Sequence, residues 1–233
     1  MSAAVEVFAT PEALFEAAAV RIASVLARAD RATFALAGGS TPERLYARLA
    51  DRKTIPWQRV EFFWGDERPV GPDDPQSNYG MARRSLLGPA GIAAECVHRI
   101  EGERAPEDAA RRYEDEIRRL VPGDPVPHLD LVLLGMGEDG HTASLFPGTS
   151  WDETRLVVAN PVPKLAATRI TMTPLLLNAA RTILFLAAGE AKAEALRRVV
   201  EDRAPELPAS RIAPDDGELV WLVDAAAASR LQR

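Results

Sequence analysis

Asp139 stands two residues before His141 in the stretch GMGEDGHT at 135–142. A carboxylate that close to an imidazole can fix its tautomer and stabilise its protonated form, which makes the two a candidate general-base pair. Imidazole is scarce: the 233-residue chain holds three histidines, His98, His128 and His141. His128 reads as a loop or strand-edge residue and His98 as part of a short strand, so His141 is the expected base. No second His or Cys lies at ligand spacing from it, so no metal is expected there. The single cysteine, Cys96, allows no intrachain disulfide framework. Gly135, Gly137 and Gly140 also match the dinucleotide fingerprint GxGxxG. That reading is rejected, because Glu138 and Asp139 would set negative charge against a pyrophosphate and Pro147 stops any long helix. The glycines are read instead as bending the chain so that Asp139 and His141 stand at a sheet edge.

Two further stretches carry chemistry. LAGGSTP at 36–42 follows an apolar run and precedes a helical pattern. Its glycines, Gly38 and Gly39, allow close backbone approach, and Ser40 and Thr41 lead into a helix N-terminus, which attracts an anion, phosphate above all. The same residues suit a plain capped turn, and no Gly-Lys-Ser/Thr follows to make a nucleotide loop. WGDER at 64–68 sets Asp66, Glu67 and Arg68 at the end of an apolar run, where they can position hydroxyls and an anion or form a solvated ion pair. Lysine is as rare as histidine: Lys53, Lys164 and Lys192 are all there are, so 25 of the 28 basic residues are arginine. Lys192 falls at a helix start, where a cation opposes the macrodipole unless an anion is present. Lys164 lies in a Pro-rich loop, and Lys53 reads as solvated.

The elements that must carry these loops alternate. Short apolar runs fall at 5–8, 33–37, 60–64, 129–134, 156–160, 182–187 and 219–224, with helical spacing at 11–29, 42–50, 77–87, 106–120 and 190–201. Thr10 and Pro11 form a helix start, and Ser77 or Asn78 another. Alternation of this kind predicts an α/β fold, a three-layer, doubly wound, mostly parallel Rossmann-like sheet, as a single domain over 1–233. Ligands bind such sheets at the carboxyl ends of strands near a topological switch point, where these loops fall.

With these stretches assembled, the sequence resembles the 6-phosphogluconolactonase family. The likeness rests on LAGGSTP, on WGDER with DPQSNY at 74–79, and on GMGEDGHTASLFPG at 135–148, and it runs on to PASRI at 208–212. Related glucosamine-6-phosphate deaminases typically read DEY and AFNEP where this chain has DER at 66–68 and ASLFP at 143–147. The resemblance implies hydrolysis of 6-phospho-D-glucono-1,5-lactone to 6-phosphogluconate in the pentose phosphate pathway, with no metal or organic cofactor. It implies His141 as water-activating base, Asp139 as its orienting partner and Asp66 on sugar hydroxyls. Gly38, Gly39, Ser40, Thr41 and Lys192 would hold the phosphate, with Lys164 and Arg169 as further candidates. Arg68 is left open between phosphate and the lactone oxyanion.

The net charge of −6 argues against a broad nucleic-acid surface. No apolar run approaches the roughly 20 residues of a membrane span. With no signal-like segment and one cysteine, a cytoplasmic location is expected, and a monomer, since no apolar interface segment stands out.

Overall fold

The strands Ala4–Phe8 (β1), Ala32–Leu36 (β2), Val60–Trp64 (β3), Leu131–Gly135 (β5), Thr182–Ala187 (β8) and Glu218–Asp224 (β9) form one all-parallel sheet. Its order is β1-β9-β8-β5-β2-β3 in the computed structural model, which describes residues 4–214 and 216–232. Every residue of β2, β3 and β8 is buried, the pattern of strands covered on both faces. The chain runs from β2 outward to β3 and then crosses back to β5 on the other flank of β2. That reversal is the topological switch point, and the loops after β2 and β5 diverge around it.

Helices Pro11–Leu26 (α1), Ser40–Ala50 (α2), Asn78–Ala82 (α3), Pro106–Leu120 (α4), Pro174–Leu177 (α5) and Ala193–Val200 (α6) intervene. Helix α1 begins as expected: the Thr10 hydroxyl accepts from Ala13 N at 3.2 Å and Pro11 occupies the first turn. Its buried residues, Leu14, Phe15, Ala18, Ala19, Ile22, Val25 and Leu26, recur at three- and four-residue steps. Ser77 proves to be the cap of α3, accepting from Gly80 N at 2.9 Å. The helix expected over 77–87 changes hand-hold partway: after Ala82 it widens into a π turn at Arg83–Leu87.

The structure corrects the reading of one region. The run at 156–160 was expected in the main sheet. It belongs instead, as Val157–Val162 (β6), to a separate antiparallel sheet with Ala167–Met172 (β7) and Asp66–Glu67 (β4), in the order β4-β7-β6. Neither β4 nor β7 was anticipated. Gly65 joins the two sheets: its N–H donates to Leu36 O in one, and its carbonyl accepts from Met172 N in the other. Among the described residues no helix is long and apolar enough to cross a membrane.

Candidate active site

Four loops converge because they follow four neighbouring strands, β8, β5, β2 and β3. Between them lies a pocket of about 460 Å³. The 38–41 turn, Asp66 and Arg68, the 135–138 backbone, His141 and Lys192 all line it.

Two fully buried tyrosines fix the strand ends from which these loops leave. The Tyr46 hydroxyl accepts from Ala37 N and donates to Ala37 O, each at 2.9 Å. Tyr113 does the same for Trp64, at 2.7 and 3.1 Å. Each hydroxyl satisfies backbone groups that the ladder no longer pairs, so the chain diverges without stranding a buried donor.

After β5 the chain folds back on itself. Gly137 N donates to His141 O at 2.8 Å, and Gly140 takes a φ of +77°. Asp139 Oδ1 lies 2.6 Å from His141 Nδ1 and accepts from His141 N at 3.1 Å. An imidazole whose Nδ1 hydrogen goes to a carboxylate carries its lone pair on Nε2, as a general base must. The ring also stacks on Phe146, with centroids 4.2 Å apart. The second Asp139 oxygen accepts from Lys164. Burial pulls the Asp139 carboxyl upward, but Lys164 and His141 outweigh it and hold the group well below the usual carboxylate range. It is therefore an anion throughout the physiological range.

The 36–42 turn offers what an anion needs. Gly39, at a φ of +106°, starts α2, and no side chain caps the helix. Its first-turn amides are therefore available to a ligand. Gly38 is required by close approach: a Cβ there would lie 1.9 Å from Asn78 Oδ1. Lys192, at the head of the helical segment after β8, has only a loose contact with Glu138, at 3.9 Å.

Beyond β3, buried Asp66 accepts from Ser144 Oγ at 2.6 Å, and Asn78 Nδ2 donates to its carbonyl at 2.8 Å. Arg68 is steered by Gln76, to whose carbonyl its Nη1 donates, while its Nε is buried without a partner. Arg169, on β7, has buried Nε and Nη1 atoms in the same condition. Burial and the neighbouring Arg68 together hold the Arg169 guanidinium below its ordinary value. Two cations with unpaired donors, packed side by side, are an arrangement that an anion would relieve.

Of the anticipated residues, the structure thus brings Gly38, Gly39, Ser40, Thr41, Asp66, Arg68, His141 and Lys192 into one pocket. Of the further phosphate candidates, Arg169 does not line that pocket, and neither does Lys164, which donates to Asp139. For Lys164 the reason is topological: it rides on the β6–β7 turn, which belongs to the second sheet. Asn78, Ser144 and Phe146 were not anticipated as site residues. Ser144 is buried and its hydroxyl is committed to Asp66, so it does not stand as a nucleophile. His98 and His128 lie elsewhere. His128 Nδ1 is 2.7 Å from Ala179 O, and His98 bridges Glu61 and Glu116.

Known proteins share this fold. The family profile described as glucosamine-6-phosphate isomerases/6-phosphogluconolactonase matches residues 9–221. A Nostoc sp. protein named 6-phosphogluconolactonase is 41% identical over 216 residues, 91% of this chain and 89% of its own. The solved 6-phosphogluconolactonase of Trypanosoma brucei superposes with a TM-score of 0.88 at 31% identity, over 99% of each chain. A monomeric glucosamine-6-phosphate deaminase also superposes, with a TM-score of 0.84 at 27% identity over 97% of this chain and 99% of its own. The fold is thus common to proteins of both names, whereas sequence identity over nearly the whole chain is higher to the Nostoc and Trypanosoma brucei lactonases than to that deaminase. The chain belongs to the glucosamine-6-phosphate isomerase/6-phosphogluconolactonase family, and within it stands with the enzymes named 6-phosphogluconolactonase.

Proposed function

We propose that the chain, as one catalytic domain, hydrolyses 6-phospho-D-glucono-1,5-lactone to 6-phospho-D-gluconate by a water that His141 activates, without a metal. The observation that carries this reading is the shared pocket: the Asp139-oriented imidazole opens onto the same space as the uncapped N-terminus of α2. A base and an anion cradle lining one pocket suit a phosphorylated ester or lactone.

In this reading His141 Nε2 takes a proton from water as the oxygen attacks C1 of the lactone. The imidazolium that forms is stabilised by Asp139, which remains ionised. As the tetrahedral intermediate collapses, the proton passes to the ring oxygen, which leaves as the C5 hydroxyl. The amides of Gly137, Gly140 and His141 are already bonded inside their own loop. That favours Arg68, which lines the pocket, as donor to the C1 oxyanion. The first-turn amides of α2 with Lys192 take the phosphate, and Arg169 reinforces the positive field behind Arg68. Among the described residues no group of three or more His, Cys, Asp or Glu side chains is placed to hold a metal. The reading therefore assigns water activation to His141 alone.

The test offers the enzyme the phosphorylated lactone, corrected for spontaneous opening, and glucosamine 6-phosphate in parallel, each with and without a chelator. Accelerated, chelator-insensitive lactone opening and no ammonia is the expected result. Ammonia release would replace the lactonase reading with the deaminase one, and chelator-sensitive opening would remove the metal-free mechanism.

A further inference from the structure

Asp139 is shared by two side chains that come from different sheets. His141 approaches one oxygen from the loop after β5, and Lys164 approaches the other from the β6–β7 turn. The lysine is held in a second way, with Nζ 4.4 Å from the centroid of the Phe146 ring on which His141 stacks. Its own turn is tightly formed: Pro163–Leu165 makes a single 3-10 turn, closed by Ala166 at a φ of +48°. Lysine is one of three in a chain that otherwise uses arginine.

We propose that Lys164 is a positioning residue that divides the Asp139 carboxylate with His141 and thereby sets the pH at which the imidazole is free to accept a proton. The proposal rests on the reading of His141 as the base. A lone carboxylate at 2.6 Å from Nδ1 stabilises the imidazolium relative to the neutral ring. A second cation on the other carboxylate oxygen offsets that attraction while leaving the hydrogen bond that orients the ring. Lys164 is thus tied to proton transfer rather than to phosphate capture.

The other charged groups facing His141 remain the same when Lys164 is changed. They are Glu138 on its own loop, Asp66 and Arg68 after β3, and Lys192 after β8. The segment packed on Gly140 reaches the loop through Leu207 and Ala209, and its charged side chains, Glu206 and Arg211, are paired with Arg198 and Glu153.

Lys164→Met keeps the aliphatic stem and removes the charge, and Lys164→Arg keeps the charge. Because the side chain is half exposed, neither substitution opens the core. Two readouts are required: kcat/KM for the lactone against pH, and the NMR titration of the imidazoles. Only three histidines contribute, and His141 is assigned by the signal that His141→Ala removes. In Lys164→Met the His141 midpoint and the acid limb of kcat/KM should both move up by roughly half to one pH unit. That lowers kcat/KM on the acid side by about 3- to 10-fold, and Lys164→Arg should restore both curves. An unmoved His141 titration overturns the proposal alone, as does a higher KM with an unmoved profile. A titration that moves while the rate profile does not overturns His141 as the base, and the proposal with it.

Discussion

A methyl group on residue 137 would lie 2.0 Å from His141 Nδ1 and 2.6 Å from Asp139 Oδ1. The loop therefore works only if that residue is glycine, for reasons of space rather than backbone angle. Gly137→Ala should displace the imidazole from its carboxylate and lower kcat by about 100-fold, the scale of an ångström's misplacement at a reacting centre. Circular dichroism should show the fold intact, and steady-state rates at wild-type level would contradict this view of the loop. Much at this scale was legible in the sequence, because the histidine is rare and its neighbours are glycines and a carboxylate within a few residues. The partner of Asp139 was not. Lys164 lies 25 residues away in sequence, and no periodicity links the tip of one hairpin to a loop on another sheet. Asn78 was read only as a helix-start candidate for the same reason: its fit against Gly38 is a tertiary contact between two separately recognisable motifs.

At the scale of elements, the small sheet explains how Arg68 and Asn78 come to face the pocket. Glu67, fully buried at the end of β4, accepts from Arg68 N and Asn78 N on one oxygen and from Tyr79 N and Ser77 Oγ on the other. Burial raises its affinity for a proton, and the three backbone amides oppose that rise. The carboxylate closes the 68–77 excursion into a loop pinned at both ends. Glutamine has one acceptor where two are needed, so Glu67→Gln sets an amide N–H against the Tyr79 and Ser77 donors. Loss of such charge-assisted bonds costs about 1.5–3 kcal/mol, which at this chain length lowers Tm by roughly 3–10 °C. KM for the lactone should rise with it, as Arg68 and Asn78 lose their fixed positions. A calorimetric Tm within a degree of wild type, with KM unchanged, would show that the clamp is dispensable. The strands of this sheet were legible only in part: β4 has two residues, too few for any alternation, whereas β6 was read at 156–160 but cut short before Pro161, which is tolerated because β6 is an edge strand. The main-sheet strands, mostly apolar and bounded by turns, were read to within two residues at either end.

For the whole molecule, the doubly wound sheet decides which loops meet, and its net charge of −6 conceals a local reversal of sign. Arg68 and Lys192 line the pocket from opposite flanks of the switch point, with Arg169 beside Arg68, while most other arginines among the described residues are paired with carboxylates. Behind β3 a second buried cluster ties sheet to helix. His98 lies 2.6 Å from Glu61 and 3.0 Å from Glu116 of α4, stacked on Phe63. Burial lowers the affinity of His98 for its proton, but the two carboxylates outweigh it and hold the group above its ordinary value. A group raised on folding stabilises fully below its unfolded value of about 6.5 and loses that contribution as pH climbs through the folded value. Tm should therefore fall as pH rises above about 6.5, and His98→Gln should flatten that slope while leaving the site loops in place. Parallel slopes for the two proteins would remove His98 as the cause.

The central claim is that one oriented imidazole activates the water. It is tested most directly by measuring lactone hydrolysis in a coupled assay, corrected for spontaneous opening, for the wild-type protein and for His141→Ala. Removing a positioned general base should lower kcat by about 10²–10⁴-fold, with Tm and lactone binding preserved. A His141→Ala protein that hydrolyses the lactone at the wild-type rate would contradict the account.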